Sequence, residues 1–265
     1  MIQLIQQGIL LLGTLVGGVT DAKTGYIYDW ITMPMIGIGL VLSVLAGMWM
    51  NVVFAAGIFV FLYIMYYFGK IGGGDVKLFV GIALLNPYNN AGFLAALAFF
   101  AAMSSMLFYS IFYSVKYARK GIDWEKNYDG IRQALILALI IAVYFAVLYY
   151  YSGASIFFIY LFGVPMLAGL VFVALQKGIK KEFFEKKINL KDLEEDEVIA
   201  ENNSKKILDL FKTKGVIGEK EIKQMKKMKV KNIYVLRDLP PFGPFIFIGT
   251  MCAIYIPDFF ILLFL

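Results

Sequence analysis

Eight apolar runs divide this chain, at roughly 2–20, 30–49, 52–69, 76–88, 91–115, 133–151, 154–176 and 244–265. Hydrocarbon offers a backbone no water to bond, so runs of this length fold as helices that satisfy their own N–H and C=O groups. A membrane crossing takes about 20 residues, with a range of about 17–25. Most of the runs qualify. The fourth is short, and reads either as a thin span or as a segment fused with its neighbour. With 60% hydrophobic residues and a mean hydropathy of +0.74, the composition lies well above the soluble range of about 45–50% apolar. The reading is an all-α polytopic integral membrane protein with about eight hydrophobic segments, six to eight of them spanning. The first run leads into further spans, so it is expected to stay as a helix rather than to be removed as a signal peptide.

Loop charge orients the spans. All 25 lysines and arginines fall in alternate connections: around Lys23, around Lys70 and Lys77, from Lys116 to Arg132, and from Lys177 to Arg237. The intervening connections at Trp49–Asn51, Asn86–Asn90 and Tyr151–Gly153 hold none. Positive charge marks the cytoplasmic side. Eight crossings then place both termini outside and bring Asp21 and Asp75 to the cytoplasmic face. The net charge of +6 fits loops facing anionic lipid rather than nucleic acid.

Residues 178–243 are a different material. Seven acids lie between Asp192 and Asp209, followed by a dense lysine set from Lys212 to Lys231. Ser204 is placed to cap a helix running to Lys214, with Gly215 as its stop and Ile207, Leu208, Leu210 and Phe211 as its apolar face. A second short helix is expected over Glu219 to Lys229, and a strand over Lys231 to Arg237. The chain divides accordingly into a helical membrane part, 1–177, a small cytoplasmic α/β insert, 178–243, and a last membrane helix, 244–265.

Absences narrow the chemistry. There is no histidine and one cysteine, Cys252. Ser-His-Asp and Cys-His mechanisms and histidine-ligated zinc are excluded, and Cys252 has no partner for an internal disulfide or a CxxC pair. Asp, Glu, Lys and Tyr remain for acid–base work. An acid at a membrane boundary is costly to place and usually has a task. Asp21 ends the first apolar run. Asp75 opens the fourth, directly after Gly72, Gly73 and Gly74, which permit a sharp turn or a close approach by another chain.

Each aspartate has a structural reading too. Asp75 fits a helix N-cap, with the glycines as a linker, and Asp21 fits an interface residue at a helix end. Together, at one membrane face, they are the minimum equipment for hydrolysing a peptide bond. Two carboxylates sharing a site cannot both ionise easily, so the pair holds one proton. The ionised member takes a proton from water, and the protonated one polarises the scissile carbonyl. Lys23 and Lys77, two residues beyond the aspartates, are candidates to support them or to snorkel to lipid phosphates. Asp29 reads as an N-cap of the second span, and Asp258 falls near the opposite face.

Three elements resemble the motifs of type IV prepilin peptidases. Asp21, with Lys23, Ile27 and Thr32 after it, resembles their first aspartate motif. Ile71-Gly72-Gly73-Gly74-Asp75-Val76-Lys77-Leu78 resembles their GxGD motif, which presenilin-like enzymes share. Pro241-Phe242-Gly243-Pro244-Phe245 is similar to the PFGPF element that opens a late helix in the family. The resemblance implies a membrane aspartyl endopeptidase with Asp21 and Asp75 catalytic, Gly72 to Gly74 as the active-site loop, and Pro241, Phe242, Gly243 and Pro244 in support. It implies cleavage of a short basic leader from archaellin or type IV pilin-like precursors at the cytoplasmic face of the cell membrane, with no metal or organic cofactor. The chain lacks the cysteine tetrad common in bacterial members, and has Tyr28-Asp29 where they commonly carry Pro-Asn. It looks more like the archaeal preflagellin and prepilin peptidases.

Two other classes compete. A proton- or ion-coupled transporter would also use intramembrane acids, but should show related halves or matching broken helices, and none is visible. An inert subunit of a filament machine, docking through the insert, would tolerate loss of both aspartates.

Overall fold

The computed structural model describes residues 1–152, 156–193, 197–200, 202–211, 217–228 and 230–259. The apolar runs form helices α1 (Ile2–Thr24), α2 (Asp29–Leu45), α3 (Trp49–Tyr67), α4 (Gly73–Leu84), α5 (Ala91–Lys120), α6 (Trp124–Ser152) and α7 (Ile156–Ile179). Among the described residues, five helical stretches are long and apolar enough to cross a membrane: Ile2–Thr24, Trp49–Tyr67, Ala91–Ala118, Trp124–Tyr151 and Phe158–Phe184. This is a polytopic helical membrane protein, and two shorter apolar helices, Asp29–Leu45 and Gly243–Tyr255, accompany those five. Helix α4 has 12 residues, or about 18 Å at the helical rise, against a hydrocarbon core of about 30 Å.

The short helices nevertheless alternate in direction with the long ones. The starts of α2 and α4 meet through Asp29 and Lys77. Their far ends meet where Ser43 Oγ donates to the Leu84 carbonyl at 2.6 Å. Asn51, in the first turn of α3, donates to Ser43 Oγ and to the carbonyls of Leu84 and Asn86. Hydrogen bonds of buried side chains to main-chain carbonyls thus close the far end of this group, where an unpaired polar group would be costly.

Helix α4 is short because it is interior. Val76, Leu78, Gly81, Ile82, Ala83 and Leu84 are all buried. Leu78 and Ile82 join Leu10, Ile31, Met35, Phe93, Leu97 and Ile246 in the main core, and Ala83 and Leu84 pack with Ala55 in a second cluster. Helix α6 is the opposite case, with no buried residue from Leu135 to Tyr151.

Helix α7 runs on through a π-helical turn, Lys180–Phe184, into strand β1 (Glu185–Asn189) of the insert. Strands β2 (Val198–Ile199) and β3 (Asn232–Leu236) complete an antiparallel sheet in the order β1-β3-β2. Helices α8 (Lys205–Leu208) and α9 (Glu219–Lys227) accompany it. Leu190, Ile207, Ile217, Met225, Ile233 and Val235 form a small core of its own. The expected helix after Ser204 is helical over Lys205–Leu208 and tightens to a 3-10 turn over Asp209–Phe211. Residues 212–216, including its expected end, lie outside the described residues.

The chain then returns to the bundle as α10 (Gly243–Tyr255). Residues 260–265 of the expected last helix lie outside the described residues, and α10 stops at Tyr255. It packs chiefly between α1 and α5.

Candidate active site

Asp21 lies in the last full turn of α1, only 7% exposed. The Gly243 main-chain N–H, at the start of α10, donates to Asp21 Oδ2 at 2.7 Å, and the Phe242 main chain also bonds the carboxylate. A helix start leaves its first N–H groups without partners inside the helix. Here one of them is spent on a carboxylate, a charge-assisted bond that the positive end of the helix reinforces. Pro244, in the first turn of α10, has no N–H to place, and its fixed φ suits a helix start.

Close approach makes this bond possible. A Cβ on Gly243 would lie 2.9 Å from Asp21 Cβ and 3.1 Å from Gly18 Cα. A Cβ on Gly18 would lie 3.1 Å from the Gly243 carbonyl oxygen. Two glycines, one on each helix, bring α10 against α1 at the aspartate.

Asp75 sits in the first turn of α4. It is not the N-cap; Gly72 is, in an extended conformation. The carboxylate reaches back to the Gly72 N–H, as an acid three residues after a cap commonly does. Its other oxygen, Oδ1, is buried with no hydrogen-bond partner among the described residues. Gly17, one turn before Asp21, and Gly74, next to Asp75, both lie against Ile27, so helices α1 and α4 bring the two carboxylates to one end of the bundle.

The glycine run works through packing. None of Gly72, Gly73 and Gly74 has positive φ. A Cβ on Gly74 would meet the Ile27 carbonyl oxygen at 2.8 Å and Ile27 Cβ at 3.0 Å. Gly74 is therefore the place where α4 touches the α1–α2 turn. Ile27 also lies over Gly17 of α1, so one residue spaces both aspartate-bearing helices.

The other expected residues fall in distinct places. Pro241 and Phe242 belong to the strap that leads into α10, and the Phe242 ring lies 6.4 Å from that of Phe79, one turn after Asp75. Lys77 pairs with Asp29 at 2.6 Å across a solvent-exposed contact, so it ties α2 to α4. Asp29 is in the first turn of α2 after the N-cap Tyr28. Lys23 is exposed in the last turn of α1. Asp258 approaches Gly92 beside Asn90, at the start of α5 and the opposite end of the bundle. Among the described residues no group of three or more His, Cys, Asp or Glu is arranged to hold a metal ion.

One residue carried no signal in the sequence. Tyr109, inside α5, donates its hydroxyl to the Pro241 carbonyl at 2.5 Å. It packs edge-on against Phe245 at 5.0 Å. Tyrosine is common in this chain, with 17 copies, and nothing in the local pattern of α5 singles this one out.

Helices and site together define a multi-pass membrane protein with a carboxylate pair near one end of its bundle. The type IV leader peptidase family matches residues 8–116, a stretch that holds both aspartates. The prepilin peptidase EppA of Methanothermobacter thermautotrophicus is 35% identical over 95 residues. That match takes in 33% of this chain and 25% of the relative, so the likeness spans about a quarter of the relative's length. No solved structure matches. Residues 8–116 are thus similar to the type IV leader peptidase family; the insert and α10 lie outside the matched stretch.

Proposed function

We propose that this protein is a membrane aspartic endopeptidase that removes the short basic leader of archaellin or type IV pilin-like precursors at the cytoplasmic face of the cell membrane. What supports this reading is that Asp21 and Asp75, on separate helices whose ends share Ile27, are each held by a main-chain N–H at a helix start. In sequence, the lysines and arginines cluster around the ends of the apolar runs that Asp21 and Asp75 flank, which supports a cytoplasmic site.

The chemistry follows from the pair. One proton is shared between two carboxyl groups, and the roles belong to the dyad as a unit. The ionised carboxylate draws a proton from a water molecule, whose oxygen attacks the scissile carbonyl. The protonated partner gives its proton to the carbonyl oxygen, forming a neutral tetrahedral diol. Collapse of the diol breaks the C–N bond as the nitrogen takes up a proton, and the dyad is left again with one. The Gly243 N–H steadies Asp21 as charge moves on and off it. A helical substrate hides its peptide bonds in internal hydrogen bonds, so the precursor must be extended where it is cut. The rest of the precursor helix stays in lipid, and no metal or organic cofactor enters these steps.

Purified enzyme in lipid nanodiscs, incubated with an archaellin and with a pilin-like precursor, tests the reading. Loss of leader mass from either precursor supports it. Intact precursors of both kinds, with enzyme shown to be folded, overturn it.

A further inference from the structure

We infer that Tyr109 is a positioning residue for Asp21, acting at a distance through the Pro241 carbonyl. This inference rests on the protease reading for its kinetic arm alone. The strap from Leu239 to Phe242 connects β3 of the insert to α10 and contains two consecutive prolines, Pro240 and Pro241. Neither proline has an N–H to anchor it. The strap nonetheless has to deliver the Gly243 N–H to Asp21 within hydrogen-bond reach. Tyr109 supplies an anchor from the side, with its hydroxyl on the Pro241 carbonyl, two residues before Gly243.

The anchor is itself well held. The Tyr109 ring packs on Phe245 at 5.0 Å and on Tyr113 at 5.9 Å, and Phe245 is buried in the first turn of α10. Tyr109 therefore grips α10 on both sides of Gly243: by its ring on Phe245 and by its hydroxyl on Pro241. Its task is to fix where the N–H points, which matters because a misplacement of about 1 Å can cost on the order of a hundredfold in rate.

Tyr109→Phe removes one oxygen and keeps the ring on Phe245. Amide exchange at Phe242 and Gly243, followed by mass spectrometry in nanodiscs, should rise about tenfold, the effect of losing about one net hydrogen bond. With a leader-bearing precursor, kcat should fall about tenfold while KM changes less than about twofold, since the bond positions a carboxylate and touches no leader residue. Tyr113→Phe removes a hydroxyl one turn along the same helix and leaves the Pro241 bond in place; exchange, kcat and KM should all stay at the wild-type values. Unchanged exchange at Phe242 and Gly243 in Tyr109→Phe overturns the proposal, as does a loss of activity carried by KM alone. A wild-type enzyme that leaves every precursor intact overturns the protease reading, and the exchange measurement still decides the role of Tyr109.

Discussion

Helices α4 and α6 are both apolar, yet they are opposite kinds of membrane helix. Helix α4 is short, buried among α1, α2 and α3, and rich in contacts a methyl group would disturb. Helix α6 is long, and from Leu135 to Tyr151 no residue is buried. In water the two would be ranked by apolar burial. In lipid, acyl chains are as apolar as leucine, so an exposed apolar face has little to gain from a protein neighbour. Burial in this molecule therefore marks where geometry is needed rather than where hydrophobicity is greatest, and the buried helix is the one that carries Asp75.

The largest expected effect tests that contrast at its chemical centre. Asp21→Asn and Asp75→Asn should each lower leader removal by at least about a thousandfold at unchanged membrane levels, as loss of a general acid–base group does. Asp129→Asn, which breaks only an exposed ion pair with Lys177 at the start of α6, should leave the rate within about twofold. Equal losses for Asp129 and Asp75 would erase the distinction between the two helices.

Glycine substitutions come next. Gly74→Val should lower cleavage by about a hundredfold and Gly74→Ala by about tenfold, because the new carbon presses on the Ile27 main chain and shifts Asp75. Gly163→Ala in α7 adds a carbon whose nearest neighbour is 3.9 Å away and should be silent. Rates measured at matched enzyme levels decide between packing and a mere linker, which would tolerate all three.

Truncation sharpens the comparison in stability. Leu78→Ala, at a fully buried site of α4, should cost about 2–4 kcal/mol through the cavity it leaves. Leu139→Ala, on the exposed face of α6, should cost less than about 0.5 kcal/mol. Thermal unfolding in nanodiscs reads both.

The smallest effect lies in the insert, outside the membrane. The Lys223 ammonium holds the exposed Glu219 carboxyl below its ordinary value of 4.5. A depressed folded value means that the pair's contribution is fully present above pH 4.5 and fades as pH falls through the folded value. Limited proteolysis of the insert should thus quicken slightly on acidification below that point, and Glu219→Gln should remove this part of the pH dependence.

Much of this was legible in the residues. Eight apolar segments, the polar insert, α9 and β3 follow from length, charge and alternation, and the cost of acid at a membrane edge singles out the two aspartates as candidates. What covers each segment did not follow as well, because hydropathy reports how apolar a segment is and not whether lipid or protein surrounds it. Helix α4 looks like a thin span in sequence and is an interior helix in space. Strand β1 was missed because Glu185-Lys186-Lys187 has no apolar alternation; its order comes from pairing with β3. Lys77 was read toward its neighbour Asp75, whereas the helix start turns it to Asp29. Tyr109 was invisible because its partner is a main-chain carbonyl 132 residues away.

The bond between Gly243 and Asp21 joins groups 222 residues apart in the chain. Translation at about 5–20 residues per second separates their synthesis by roughly 10–45 s. For most of that interval α1 and α4 are already made, while Asp21 still lacks the N–H that α10 brings. The assembly of this site is thereby timed by biosynthesis: a nascent chain carries both acids early and completes their setting only when the insert has passed and α10 has arrived.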